Sequence, residues 1–149
     1  MIRVATEADI QRIAELGCIL HAESIEYRDI TFDLGKVAET MLGLINGGGV
    51  IFLYESGGEV LGGIAGGMSE FWFSRERIAG DYSLFVHPDH RQGMIAVKLT
   101  LAFHSWAKLL GARRVQMGIT TGINEEGTAR LYQSLGMRHA GKLFNKDFA

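Results

Sequence analysis

The sequence predicts a mixed α/β domain built around one sheet, and three observations carry that prediction. Short apolar runs of strand length alternate with stretches of helical periodicity. A glycine-bounded turn joins two of the strands as a hairpin. A further strand is closed by Pro88, the single proline of the chain, and leads almost directly into the most regular helical stretch. The 149 residues have the length of one domain, 1–149, and a domain of that size buries roughly 68–70% of the surface its unfolded chain exposes.

Ile2 to Val4 reads as a short first strand. Thr6 and Asp9 then have the spacing of a capping box, and Ile10, Ile13, Ala14, Gly17 and Leu20 recur at helical spacing behind it. Cys18, in the same stretch, reads as a small core residue of that helix. A second helix opens at Asp33, with Phe32 and Val37 placed as a hydrophobic staple and Val37, Met41, Leu44 and Ile45 as its stripe. Gly47-Gly48-Gly49 ends it. Val50 to Tyr54 is an apolar run of strand length, Ser56-Gly57-Gly58-Glu59 marks a hairpin turn, and Val60 to Ala65 returns antiparallel.

Ile78 to Val86 is the next strand, closed by Pro88. From Ala96 the positions Leu99, Phe103, Trp106, Ala107 and Leu110 follow helical spacing until Gly111. Arg114 to Ile119 reads as a strand, Glu125 to Leu135 as a last helix ended by Gly136, and Met137 to Phe148 as a terminal strand. Phe71-Trp72-Phe73, between two strands, is too apolar for a free loop and is expected to be buried, to line a pocket, or to form a contact in a homodimer.

Bulk properties narrow the function. Fifteen basic against 17 acidic residues give a net charge of −2, so the footprint needed to track a nucleic-acid backbone is missing. No apolar run approaches the roughly 20 residues of a membrane span, and no signal-type apolar core follows Met1. A lone cysteine excludes an internal disulfide framework and fits the reducing cytoplasm. His87, Asp89 and His90 are zinc-ligand types, yet no partner segment supplies a further ligand, so they read as surface turn residues and no metal is expected.

The junction Val86-His87-Pro88-Asp89-His90-Arg91-Gln92-Gly93-Met94-Ile95-Ala96 is the most informative segment. A turn from a strand into a helix presents the free N–H groups of the first helical turn, and the helix dipole adds roughly half a positive charge there. Arg91 places a guanidinium fork beside them. An anion-binding loop and an ordinary turn with a surface arginine both fit these residues.

This segment resembles the coenzyme-A-binding segment of the GNAT superfamily of N-acetyltransferases, a strand followed by Arg/Gln-x-x-Gly-x-Gly/Ala at a helix start. Arg91 takes the first position and Ala96 the last, while Met94 stands where the middle glycine is usual and Gly93 precedes it. A second resemblance lies in Asn124 to Met137, where Leu131-Tyr132 and Leu135-Gly136 match the family's Leu-Tyr-x-x-Leu-Gly-Phe ending. Met137 replaces the usual aromatic, and the spacing from Asn124 to Tyr132 is one residue longer than the common form.

The resemblance implies a GNAT-like fold, a single mixed and largely antiparallel sheet flanked by helices. It also implies direct transfer of an acetyl group from acetyl-CoA to a primary amine of a small molecule or peptide. The amides of Gln92, Gly93, Met94, Ile95 and Ala96, assisted by Arg91, are then expected at the pyrophosphate, with Asn124 and Tyr132 also contacting the coenzyme. The backbone of Phe85 and Val86 is expected to bind the pantetheine arm.

The chemistry sets further requirements. An amine with pKa about 10.4 is neutral only about once in a thousand near neutral pH, so a base helps. Family members often carry a glutamate on the strand before the loop. Here Asp81 is the nearest substitute, expected on one strand face with Ser83 and Phe85, while Tyr82, Leu84 and Val86 take the other. Tyr132 is expected at the leaving sulfur. Its pKa of about 10 exceeds that of a thiol, about 8.5, so a hydrogen bond fits better than full proton transfer. Tyr27 and Arg28 fall where the family shapes its acceptor site. A non-catalytic acyl-CoA-binding or assembly module with the same fold is the alternative reading.

Overall fold

The computed structural model describes residues 1–148. Five strands form one sheet in the spatial order β1 to β5: β1 Ile2–Val4, β2 Gly49–Ser56, β3 Glu59–Glu70, β4 Arg77–Val86 and β5 Arg114–Gln116. The first four pair antiparallel, and β5 joins β4 in parallel because a helical crossover separates them. The helices are α1 Ile10–Glu23, α2 Leu34–Gly43, α3 Ile95–Leu109 and α4 Glu125–Ser134.

Alternation along the strands gives the sheet two apolar faces. Leu53, Ala65 and Phe85 pack with Ile13 and Leu16 of α1 on one side. Ile64 and Ala79 pack with Leu99, Phe103 and Ala107 of α3 on the other. Close approach is enforced at Gly66, where a Cβ would collide with the Phe103 ring and with the carbonyl of Gly80.

The local signals act as their chemistry requires. The carboxylate of Asp9 accepts from the Thr6 N–H at 2.8 Å, although a single 3-10 turn, Glu7–Asp9, precedes α1. Asp33 caps α2 by accepting from the Lys36 N–H at 3.0 Å. Gly57 and Gly58 hold φ of 59° and 78°, which the two-residue hairpin turn demands.

Three expectations fail and a fourth loses two of its alternatives. Among the described residues, 137–148 carry no helix or strand. The edge strand β5 is only three residues long and offers little ladder for a terminal strand to join. Leu143, Phe144 and Phe148 are consequently exposed. Cys18 is exposed too, since α1 turns Ile13 and Leu16 inward instead. Phe71-Trp72-Phe73 is not buried as a unit: Trp72 is 95% and Phe73 68% exposed at the β3–β4 connection, away from the cleft described below. Arg114–Ile119 is a strand only to Gln116, because β4 and β5 part there.

Candidate active site

β4 and β5 hydrogen-bond only from Ile78 opposite Arg114 to Gly80 opposite Gln116 and then diverge. A β-bulge marks the divergence. Asp81 pairs with Gly66 and Ser83 with Ala65, so Tyr82 is the extra residue. The bulge also corrects the expected facing. Ser83, opposite Ala65, belongs with Phe85 on the α1 side, whereas Asp81, opposite Gly66, belongs to the α3 side. The Tyr82 ring lies toward Gly67 on the α1 side.

The opening is a cleft of about 710 Å³, walled by β4, by α1 and α2, by the loop before α3, and by the segment from Gly118 into α4. Strand parity decides which backbone groups face it. The His87 N–H donates to the Leu61 carbonyl at 2.8 Å, so by antiparallel alternation Phe85 is turned to Gly63, and Leu84 and Val86 present their amides and carbonyls to the cleft. Phe85 therefore does not offer its backbone as expected. Leu84, which the sequence reading did not select, does. The Val86 carbonyl is already taken by Arg91 Nε at 2.8 Å.

Arg91 spends the rest of its guanidinium on Glu23 at the end of α1, through bonds of 2.9 and 2.6 Å. This pairing holds the Glu23 carboxyl below its ordinary range. Beyond Arg91, α3 begins without a side-chain cap. Lys98 N–H bonds the Met94 carbonyl at 2.9 Å, and the amides of Ile95, Ala96 and Val97 precede that first closed turn. Gly93 has open space where a Cβ would stand. Met94 adopts φ −92° and ψ 6°, a conformation that needs no glycine. Gly93 and Ala96 line the cleft, whereas Gln92 and Met94 point to solvent and the Ile95 side chain belongs to the core. The amides at the helix start, the uncovered backbone of β4 and the gap between the strands fit an extended ligand ending in phosphate.

Asp81 and Tyr132 meet in this cleft. Burial pushes the Asp81 carboxyl up to about 6, opposed by the Gly118 N–H, which donates to Oδ1 at 3.4 Å. Tyr132 is buried at 6% exposure, and burial together with the negative charge of Asp81 raises its hydroxyl well above the ordinary range. Asn124 starts α4 in the left-handed region, φ 45°, and its carboxamide occupies the space a side chain at Gly127 would need. Across the cleft, Tyr27 Oη donates to Thr120 Oγ1 at 2.6 Å and Ser24 Oγ to the Thr121 carbonyl at 2.7 Å, tying the α1–α2 loop to the segment before α4. Arg28 is exposed. Among the described residues, no group of three His, Cys, Asp or Glu side chains is placed to hold a metal ion, and no helix is long and apolar enough to cross a membrane.

Residues 10–137 match the model of the acetyltransferase (GNAT) family. The chain belongs to that family. Solved structures agree on the GNAT fold. A ribosomal-protein-alanine N-acetyltransferase from Brucella melitensis superposes with TM-score 0.81 at 22% identity, over 95% of this chain and 86% of that one. An aminoglycoside acetyltransferase from an uncultured soil metagenomic sample gives 0.74 at 18% identity, over 100% and 98%. An aminoglycoside N-acetyltransferase in complex with CoA gives 0.79 at 14%, over 99% and 93%. No curated protein matches the sequence.

Within this GNAT fold, the residues that the sequence reading missed are Glu23, Leu84, Gly118, Thr120 and Thr121. Leu84 was recoverable from strand parity once the partner strand was known. Glu23 had no such signal, because 68 residues separate it from Arg91.

Proposed function

We propose that this GNAT protein is an N-acetyltransferase that moves an acetyl group from acetyl-CoA to a primary amine by direct attack. The observation that carries the reading is the meeting of Asp81 and Tyr132 in the gap where β4 leaves β5, beside an uncapped helix start. Acetyl-CoA, when bound, supplies a thioester carbonyl as the electrophile. The amides of Gly93 to Val97 would hold its pyrophosphate, and the cleft-facing backbone of Leu84 and Val86 its pantetheine arm.

The chain's own groups have distinct tasks. Asp81, titrating at about 6, is ionised at neutral pH yet basic enough to take a proton from an ammonium, directly or through water. Tyr132 keeps its proton on Oη at any working pH and offers it as a hydrogen-bond donor. Asn124 and the Tyr27–Thr120 bond hold the far wall in place. The reading includes a cytoplasmic location, in keeping with the single cysteine.

The engagement of Arg91 by Glu23 favours a second reading, a coenzyme-binding module without turnover. Thermal unfolding with and without acetyl-CoA tests binding, and free-thiol release over a panel of amines tests transfer. A rise in Tm with thiol release supports the enzyme. A rise in Tm without release on any amine supports the module, and no rise removes both.

A further inference from the structure

Acceptor specificity is written in the wall opposite the helix start. There α1, α2 and the loop between them present Ile13, Gly17, Leu20, Phe32, Val37 and Met41 to the cleft. The Phe32 ring lies directly on α1, because a Cβ on Gly17 would touch its Cζ at 3.5 Å. His21 packs against that ring at 5.2 Å between centroids. A side groove of about 260 Å³ continues from the cleft past His21, Tyr27, Phe32 and Val37. An enclosed apolar cavity of roughly 150 Å³ takes benzene, so this open groove, which also carries Thr31, Asp33 and Lys36 at its rim, is large enough for one ring.

Several polar groups of this wall are already engaged. Tyr27 Oη is bonded to Thr120 and Ser24 Oγ to Thr121. Asp33 is used as the cap of α2, and Glu23 is held by Arg91. Glu26 and Asp29 are exposed on the connecting loop and do not line the cleft. One carboxylate without a cationic partner remains in the cleft, that of Asp81. A polycationic acceptor would leave its second and third ammonium groups against apolar side chains, which is unfavourable.

We infer that the acceptor is a monoamine that carries a flat apolar group, the amine at Asp81 and the apolar group against Phe32. The inference rests on the acetyl transfer proposed above. It separates this chain from the aminoglycoside acetyltransferases that share its fold. The apolar amine has two chemical sources, a free arylalkylamine or the N-terminus of a peptide beginning with phenylalanine.

The test is thiol release from acetyl-CoA with phenethylamine, a Phe-Ala-Ala amide, spermidine and kanamycin, alongside Tm with acetyl-CoA alone. Preference for phenethylamine or the peptide over both polyamines by at least about tenfold in kcat/KM is expected, and which of the two is used identifies the source. Phe32→Ala should raise KM for the preferred amine at least about fivefold while leaving the acetyl-CoA shift in Tm intact. Phe32→Leu, which keeps most of the volume, should fall between. Preference for spermidine or kanamycin, an unchanged KM in a folded Phe32→Ala, or binding of acetyl-CoA with no turnover of any of the four would overturn the acceptor assignment alone. Loss of the acetyl-CoA effect in the unsubstituted protein would overturn the underlying activity as well.

Discussion

Arg91 and Glu23 close on each other through two bonds of 2.9 and 2.6 Å, and this pair joins the end of α1 to the loop before α3. Both side chains are partly exposed, so the pair itself contributes no more than about 1 kcal/mol to stability. Its greater effect is on charge, because a carboxylate beside the helix start opposes an incoming pyrophosphate. Glu23→Gln should therefore tighten acetyl-CoA about two- to fivefold at low salt, with the gain shrinking as salt is raised. Calorimetric titration at two ionic strengths measures this. Weaker binding would mean that holding Arg91 in place matters more than freeing it.

The Tyr132 hydroxyl is kept protonated by burial and by the charge of Asp81. A phenol raised above its ordinary range is a poorer acid than the sequence alone suggests, so donation of a hydrogen bond to the departing sulfur, without transfer of the proton, is the chemistry it can do. Tyr132→Phe retains the buried ring. The expected result is a fall in kcat of about 10- to 100-fold, the worth of one hydrogen bond to a charged group, with the affinity for acetyl-CoA unchanged. An unaltered kcat would leave Tyr132 a packing residue.

Asp81 gives two pH signatures of opposite consequence. As a base it must be ionised, so kcat/KM should climb through pH 6 and lose that limb in Asp81→Asn. For stability the sign reverses. Its folded pKa lies above the ordinary 3.8, the native state binds the extra proton, and stability falls as pH rises from about 4 to about 6. The difference corresponds to at most about 3 kcal/mol. Asp81→Asn should accordingly be more stable than the parent above pH 6 and no more stable near pH 4, as read by urea denaturation at the two pH values.

Helices and strands were legible wherever one periodicity ran uninterrupted, as in α3, or a turn was chemically marked, as at Gly57-Gly58 and Asp33. The family was legible for the same reason, since both of its motifs are contiguous segments. Facing in β4 was not, because a bulge at Tyr82 depends on the register with β3 and leaves no local trace in sequence. The terminal strand failed because the edge it would join does not extend past Gln116. Long-range pairs such as Arg91 with Glu23 and Tyr27 with Thr120 lie beyond any spacing rule, and they are what turns a list of candidate residues into a walled cleft.

Met94 is the clearest departure from the family's loop, and its backbone decides what the departure costs. A glycine is indispensable only where φ is positive or where a Cβ would collide. Met94 holds φ −92° and its side chain is 58% exposed, so neither condition applies. The amides that follow it are aligned by α3 and do not depend on the residue at this position. Met94→Gly should leave acetyl-CoA affinity within about twofold, which is under 0.5 kcal/mol. It should lower stability by about 0.4–1 kcal/mol, because glycine adds freedom to the unfolded chain. Titration calorimetry and chemical denaturation of the same preparation check both. A tenfold gain in affinity would instead mean that the methionine side chain stands in the path of the phosphates.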